Sequence, residues 1–217
     1  MKKATLLLAL VAMMAMGTTA SAQLTFSLKA GLNATSMTHK INNTDQNYGY
    51  LLSFNAGVGM EIGLTDILAL EVDALFSRKG FKTEWEFLGA RRDRSYNLYY
   101  IDIPVNLKAY FLTLGSDLRL FAQAGPYVGF GLFGKHKTYT EVSGAATATS
   151  IDINWGDDGG SQLKRLDYGV DFGLGLEYDK LSVGVIWWQG LANVISVAAN
   201  DSKYSHHGLS VELGWKF

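Results

Sequence analysis

The chain contains no cysteine among its 217 residues and only two prolines, Pro104 and Pro126. The absence of cysteine excludes disulfide bonds, so an exported protein with this sequence must be stable without covalent cross-links. It also excludes a lipid anchor attached through a cysteine side chain. Packing and hydrogen bonding must therefore supply all of the stability of the fold.

Long hydrophobic runs and an excess of charge of one sign are also missing. After residue 22 no apolar run approaches the roughly 18 residues that a membrane-spanning helix needs, which disfavours a helical membrane protein. The 19 basic and 20 acidic residues give a formal net charge of −1. This balance gives no support for nucleic acid as a partner.

The first residues have the pattern of a secretory signal. The pair Lys2-Lys3 precedes the apolar run Leu6–Met16, and Ala20-Ser21-Ala22 has the small-x-small form of a cleavage site. We therefore expect residues 1–22 to be an export signal and residues 23–217 to form one domain.

A two-residue period runs through the rest of the chain. At the end of the chain, Leu209, Val211, Leu213, Trp215 and Phe217 alternate with small or polar residues. Such a strand suits a barrel wall that has lipid outside and a polar interior. The same pattern predicts eight strands, at 24–35, 50–63, 67–77, 96–112, 118–133, 166–178, 181–189 and 207–217.

The predicted connections alternate between short turns and long loops. The long ones fall at about residues 36–49, 78–95, 134–165 and 190–206. This alternation is typical of outer-membrane barrels. The sequence therefore predicts an all-β fold, an eight-stranded antiparallel up-and-down transmembrane β-barrel, with both termini on the short-turn, periplasmic side.

Two local features refine this prediction. Pro104 lies inside the fourth strand and cannot donate to a neighbouring strand, which predicts a bulge or a local break in pairing. Aromatic residues near strand ends predict girdles at the two membrane surfaces. The residues concerned are Tyr50, Tyr99, Tyr110, Tyr178, Trp187, Trp188 and Trp215.

The polar faces of the predicted strands place seven acidic and four basic side chains in the lumen. An eight-stranded barrel is just wide enough for side chains to fill it, and charges in such a space must pair or hold water. We therefore predict a charge network that leaves no wide pore. Its members are Lys29, Glu61, Glu71, Asp73, Asp102, Lys108, Arg119, Asp171, Glu177, Glu212 and Lys216.

The predicted loop 78–95 has a net charge of +3 and forms a candidate basic surface. Its basic residues are Arg78, Lys79, Lys82, Arg91, Arg92 and Arg94. Lipid phosphates, a partner or solvent are the alternatives for what they meet. Trp85 and Phe87 alternate with glutamates, which favours a hairpin that extends beyond the membrane as a β-ribbon.

Motifs for catalysis are absent. There is no Gly-x-Ser-x-Gly nucleophile turn, no phosphate-binding loop and no His-Glu-x-x-His zinc motif. The four histidines, His39, His136, His206 and His207, lie in or beside long loops, and nothing in the sequence brings them together. We predict no catalytic residues, metal site or cofactor. A barrel enzyme acting on lipid or peptide and a narrow solute channel remain the alternatives.

Several short segments of the chain resemble those of a known protein family. They are Ser27–Asn33, Tyr100–Lys108, Ala124–Gly129, Gly190–Val194 and the terminal aromatic residue. Through them the whole mature chain resembles the PorT-like outer-membrane β-barrel family of Bacteroidetes. The resemblance implies an eight-stranded barrel in the outer membrane and brings no catalytic residues with it.

The resemblance also implies partners. The last strand is similar to the signal read by the barrel-assembly machinery, which concerns Trp215 and Phe217. The founding member is linked to a secretion system that exports gingipain-type proteases, whereas most members have no assigned role. We expect contact with outer-membrane lipid, with the assembly machinery and with secretion or envelope proteins, but not with nucleic acid. The expected function is a non-enzymatic outer-membrane barrel with a structural, surface-contact or secretion-accessory role.

Overall fold

The computed structural model of the protein describes residues 23–41, 44–87, 89–115, 117–156, 161–196 and 202–217. The predicted export signal, residues 1–22, lies outside the described residues. Within them, no helix is long and apolar enough to cross a membrane. The strands are β1 (Leu24–Ile41), β2 (Thr44–Asn47), β3 (Leu51–Gly63), β4 (Leu68–Phe87), β5 (Ala90–Leu114), β6 (Leu118–Val142), β7 (Ala145–Asp152), β8 (Leu166–Tyr178), β9 (Leu181–Gly190) and β10 (Lys203–Lys216).

Eight of these strands close into an antiparallel ring in the order β1-β3-β4-β5-β6-β8-β9-β10. The ring is closed by β10 against β1, from the pair Ser27–Lys216 to the pair Lys40–Lys203. The short strands β2 and β7 stand outside the ring and pair with β1 and β6. The predicted eight-stranded up-and-down barrel is confirmed.

The outer surface of the barrel carries a belt of exposed apolar side chains. Because side chains alternate across a strand, the residues between them face the lumen. A belt of this kind is what a lipid bilayer requires of a barrel wall. It includes Phe26, Leu28, Leu32, Leu52, Phe54, Val58, Ile103, Leu107, Phe111, Val128, Phe130, Phe172, Leu174, Val185, Trp187, Leu209, Val211 and Leu213.

Several strands continue past the belt at the long-loop end. The predicted loop 78–95 is a regular hairpin of β4 and β5 that stays paired as far as Phe87 and Ala90, which confirms the predicted β-ribbon. Half of the predicted loop 134–165 is also strand, because β6 continues to Val142 and returns as β7. We call residues 80–87, 90–97, 134–142 and 145–152 of these four strands the projecting sheet.

The turn between β6 and β7 explains how the projecting sheet gains its fourth strand. Ser143 and Gly144 have φ angles of 51° and 84°. Two consecutive positive φ angles are those of a type I′ turn, whose twist suits a tight hairpin. The chain therefore reverses in two residues and pairs β7 along β6.

Two local predictions have different outcomes. The pairing of β4 with β5 passes from Val72–Val105 to Leu75–Asp102 in an unchanged register, so the pair opposite Pro104 is not formed and the predicted local break is confirmed. The aromatic girdle is wrong for Tyr110 and Trp188, which are buried inside the barrel. Trp188 follows the outward-facing Trp187, and adjacent residues of a strand point to opposite faces.

The mouth of the barrel at the long-loop end is filled by an apolar cluster, which we call the plug. Residues 153–156, 161–165 and 191–196 fold across the mouth, where Lys164 N–H donates to the Val194 carbonyl (2.8 Å) and Val194 N–H donates to the Tyr204 carbonyl (3.0 Å). Their side chains pack against strand residues that face inward. The plug consists of Met37, Phe81, Leu98, Tyr100, Ile153, Leu163, Ala192 and Val194.

Candidate functional site: a plugged lumen and a projecting sheet

Lys108 lies at the centre of a charge network in the lower lumen, near the short turns. Its side chain is 2% exposed, and its Nζ lies 2.5 Å from Glu177, 3.1 Å from Glu61 and 3.1 Å from Glu71. Lys216 contacts two of the same carboxylates, at 2.8 Å from Glu61 and 2.7 Å from Glu177. Each of these cations is thus shared by several carboxylates, which offsets the cost of removing the charges from water.

Lys29 extends this network toward the middle of the barrel. Its Nζ lies 2.5 Å from Glu71, 2.6 Å from Asp73 and 3.6 Å from Glu212. Since Glu71 is shared with Lys108, the two groups of ion pairs form one system. The charges of this system come from six of the eight ring strands and meet across the lumen.

Tyr110 and Arg119 complete the network at the short-turn mouth. The Tyr110 hydroxyl lies 3.0 Å from both Glu61 and Glu177 and donates its single hydrogen to one of the two carboxylates at a time. The Arg119 guanidinium donates to Glu177 at 2.9 Å and lies 4.0 Å from the centre of the Tyr110 ring. We call this system the lower network. It comprises Lys29, Glu61, Glu71, Asp73, Lys108, Tyr110, Arg119, Glu177, Glu212 and Lys216.

Asp102 and Asp171, the other two predicted lumen charges, lie above the lower network. Asp171 borders a central cavity of about 50 Å³. At about 15 Å³ for each water, this space holds a few water molecules and no solute of useful size. Asp102 accepts a hydrogen bond from Lys79 at 2.8 Å.

Lys79 corrects the prediction of a basic surface loop. It is 3% exposed and lies in the lumen, where it bridges Asp102 (2.8 Å) and the fully buried Asp167 (3.0 Å). The reason is that β4 does not end at residue 77, so every second residue beyond it still faces inward. Asp167 lies on the polar face of its predicted strand but was outside the predicted charge network.

Aromatic rings surround this upper ion bridge. The Lys79 Nζ lies 5.0 Å from the ring centre of Tyr100, 4.6 Å from that of Tyr127 and 4.9 Å from that of Trp188. Rings at these distances attract a cation through their negative faces. The plug lies directly above, because Tyr100 belongs to both groups. The lumen is thus closed at two levels, by the lower network and by the plug with its ion bridge.

The remaining residues of the predicted basic loop divide between the two faces of the projecting sheet. Arg78, Lys82 and Arg91 lie on the outward face, where Arg78 donates to Asn97 and Arg91 forms an ion pair with Asp93 at 2.9 Å. Arg92 and Arg94 lie on the opposite face, which continues the inner surface of the barrel. Strand alternation therefore separates residues that one predicted loop had grouped together.

A row of stacked rings joins the plug to this second face of the projecting sheet. Phe81 stacks on Tyr48 at 4.6 Å and on Tyr96 at 4.5 Å, and Tyr96 stacks on His136 at 4.4 Å between ring centres. Burial and the nearby Arg94 guanidinium lower the pKa of His136 below its usual range. The ring of His136 is therefore neutral at physiological pH and serves as a packing surface.

The four histidines contact aromatic rings, threonines or the plug. His39 stacks on Tyr204 at 3.8 Å, His136 contacts Thr138, His207 contacts Thr38, and His206 is fully buried beneath the plug. Within the described ranges, no histidine is hydrogen-bonded to a carboxylate. Among the same residues, no group of three or more His, Cys, Asp or Glu side chains could hold a metal ion.

The last strand presents its aromatic residues outward. Trp215 and Phe217 are 50% and 68% exposed. Phe217 N–H donates to the Phe26 carbonyl at 2.9 Å, so the final residue is still attached to the first strand of the ring. The two residues predicted to form an assembly signal are thus both accessible on the outer surface at the short-turn end.

These features define a closed transmembrane β-barrel with an obstructed lumen and an extramembrane sheet. Residues 18–196 match the model of the family described as "Outer membrane protein beta-barrel domain", and the chain belongs to this family. It is an integral outer-membrane protein. The short turns accordingly face the periplasm, and the plug and projecting sheet face the exterior.

Comparison with known proteins adds distant likenesses. The Neisserial surface protein A structure is 13% identical, with 88% of this chain and 97% of that chain covered and a TM-score of 0.41. The attachment invasion locus protein Ail of Yersinia pestis is 13% identical over 90% and 99% of the two chains, with a TM-score of 0.37. The outer membrane protease OmpT of Escherichia coli is 9% identical, with 89% of this chain and 96% of that chain covered and a TM-score of 0.39. No curated protein is significantly similar to the chain. Similarity at this level assigns no activity to the chain.

Proposed function

We propose that the protein is a non-enzymatic contact protein, in which a closed barrel holds the projecting sheet at the cell surface. The observation that carries this proposal is the contrast between the two parts of the molecule. The lumen is obstructed by an ion-pair network and an apolar plug, whereas four strands continue beyond the lipid belt with exposed side chains on both faces.

The two alternatives from the sequence are less well supported. A solute channel needs a continuous bore, but the space between the two closures is only about 50 Å³. A barrel enzyme needs an acid beside a histidine or serine at one rim. In the described part of the chain the histidines are instead engaged with aromatic rings and threonines, or buried under the plug.

Removal of the projecting sheet tests the contact function. Replacing residues 82–95 with Asn-Gly joins the paired residues Phe81 and Tyr96, and replacing residues 137–150 with Asn-Gly joins the paired residues His136 and Ile151. We expect the truncated barrel to fold and to remain non-conducting in planar bilayers. Cells that display it should lose the surface attachment that the intact protein confers.

Two results would contradict the contact function. Discrete conductance steps from the intact protein would favour a channel instead. Attachment that persists after truncation would show that the sheet is not the contact surface. The β-sheet circular dichroism of the purified truncated barrel serves as the control for folding.

We further propose that the chain belongs to the PorT-like branch of the family. Support comes from the segments Tyr100–Lys108 and Ala124–Gly129, which are the more specific parts of the resemblance. A secretion-accessory role would follow from this affiliation. A deletion strain that loses a defined set of surface and secreted proteins would support the secretion-accessory role. An unchanged set would contradict that role and leave only the contact role.

The apolar belt supports the proposal that outer-membrane lipid is a partner. The accessible last strand supports the proposal that the barrel-assembly machinery is another partner. Deletion of Phe217 should sharply lower the amount of protein in the outer membrane, because the machinery would lose the terminal aromatic residue. Refolding of the same variant into detergent should change little. Leu209→Ala, a lipid-facing change in the same strand, is the matched control and should leave assembly intact. Equal losses in both variants would contradict a specific terminal signal.

A further inference from the structure

The two faces of the projecting sheet carry different charges. Across the hairpin, Thr83 pairs with Arg94 and Trp85 pairs with Arg92 on one face, which we call the arginine face. Because paired residues of antiparallel strands share a face, the threonines of β6 and β7 opposite these residues belong to it as well. The arginine face comprises Thr83, Trp85, Phe87, Arg92, Arg94, Thr138, Thr140, Thr147 and Thr149.

Acidic residues are confined to the outward face. Glu84 and Asp93 pair with each other there, and Glu86, Glu141 and Asp152 share that orientation. Over the described strand residues 81–87, 90–96, 136–142 and 145–151, the arginine face contains no carboxylate. The segregation gives this face a net positive charge, although the projecting sheet as a whole is nearly balanced.

Among the residues that the structure describes, Arg92 and Arg94 have no ion-pair partner, unlike their neighbour Arg91. Arg91 is bound to Asp93 on the outward face at 2.9 Å, whereas neither Arg92 nor Arg94 contacts a carboxylate within the described part of the chain. Both are exposed. Their side chains border a hollow of about 310 Å³ together with Thr83 and Trp85. Two free guanidinium groups beside a hollow are well placed to donate paired hydrogen bonds to an anion.

The arginine face also carries an exposed aromatic surface, in which Trp85 borders the hollow and Phe87 lies beside it. Trp85 is 56% exposed and Phe87 is 59% exposed, with ring centres 5.9 Å apart. Exposed aromatic rings offer a flat apolar surface against which the apolar face of a sugar ring can pack. The surrounding threonine hydroxyls can both donate and accept hydrogen bonds, as sugar hydroxyl groups require.

The position of the arginine face excludes the lipid of its own membrane. Trp85 is seven residues beyond Arg78, the first charged residue on the outward face of β4, which at about 3.3 Å per residue is about 23 Å along the strand. A strand tilt of about 40° reduces this to somewhat less than 20 Å of height. The polar headgroup layer on one side of a bilayer is only about 5–8 Å thick. The arginine face therefore lies above the lipid phosphates.

From charge, aromatic exposure and height together, we propose that the arginine face binds an anionic polysaccharide outside the cell. Its sulfate or carboxylate groups would accept hydrogen bonds from Arg92 and Arg94, and a sugar ring would pack on Trp85. This proposal names the partner of the contact function proposed above and rests on it.

Binding of the folded full-length protein to dextran sulfate tests the proposal, with neutral dextran of the same length as reference. The double variant Arg92→Ala/Arg94→Ala should bind about tenfold more weakly, because hydrogen bonds to charged groups contribute at least that much. Trp85→Ala should also weaken binding. The matched control Lys82→Ala/Arg91→Ala removes the same charge from the outward face of the same hairpin and should leave affinity nearly unchanged.

Several outcomes would overturn this assignment. Equal losses of affinity for dextran sulfate in the two double variants would indicate diffuse electrostatic attraction. Binding of neutral dextran as tight as that of dextran sulfate would show that the anionic groups are not recognised. Equally tight binding of phosphatidylglycerol vesicles or polyglutamate, unaffected by Trp85→Ala, would indicate a lipid or an acidic protein. If the truncated sheet abolishes attachment while Arg92→Ala/Arg94→Ala keeps full affinity for dextran sulfate, the contact function stands and the polysaccharide assignment fails.

Discussion

Replacement of Lys108 by methionine is expected to destabilise the barrel by about 3–5 kcal/mol, because it leaves buried carboxylates without their shared cation. The Lys108 Nζ lies within 3.1 Å of Glu61, Glu71 and Glu177, and methionine is unbranched and only one atom shorter than lysine but carries no charge. The free energy of unfolding, measured with urea on the protein in lipid vesicles, is the direct readout.

Two further variants make this prediction specific. Lys82→Met removes an exposed lysine from the same barrel and should change the free energy of unfolding by about 1 kcal/mol or less. The double variant Lys108→Met/Glu177→Gln should recover part of the lost stability, since it removes the carboxylate nearest to Lys108. A Lys108→Met barrel as stable as the Lys82→Met barrel would mean that the lower network contributes nothing to stability.

The substitution Gly57→Ala is expected to destabilise the barrel by about 3 kcal/mol, at the upper end of the usual cost of overpacking. A methyl group on Gly57 would lie 2.9 Å from the Leu75 Cα and closer still to the Ala74 carbonyl oxygen. Both of these atoms belong to the backbone of β4. The two strands would have to move apart, because a backbone cannot rotate away as a side chain can.

Gly63 provides the matched control for Gly57 in the same strand. A methyl group on Gly63 would meet only atoms of Gln23, at 3.7 Å or more, which is ordinary van der Waals contact. Gly63→Ala should therefore leave the urea midpoint almost unchanged. Similar losses in the two variants would indicate a general intolerance of alanine in β3 and would contradict the close approach as the cause.

The strands that span the membrane could be predicted because two independent signals agree on them. Alternation of apolar and polar residues gives the faces, and the alternation of short and long connections gives the barrel. The structure has β8 at Leu166–Tyr178, as predicted, and β3 begins one residue later than predicted. All eleven predicted lumen charges face the interior.

The extramembrane strands were harder to predict because no lipid constrains their outward face. Beyond the belt both faces can be polar, so the alternation that marks a membrane strand disappears. β7 was therefore included in a predicted loop, although Ser143-Gly144 between two threonine-rich segments is a turn signal that would have indicated the hairpin. The same limitation left Lys79 in the predicted basic surface.

The sequence alone determined the architecture, the outer-membrane location and which residues of each strand face the lipid or the lumen. The reason is that a strand has only two faces and the lipid requires one of them to be apolar. The tertiary structure decided how the lumen is closed and where the basic residues act. Lys79 meets Asp167, 88 residues away in the chain, and the plug brings residues 153–156 and 161–165 to residues 191–196. Such contacts depend on how distant segments fold across the mouth of the barrel, and a two-residue period carries no information about them.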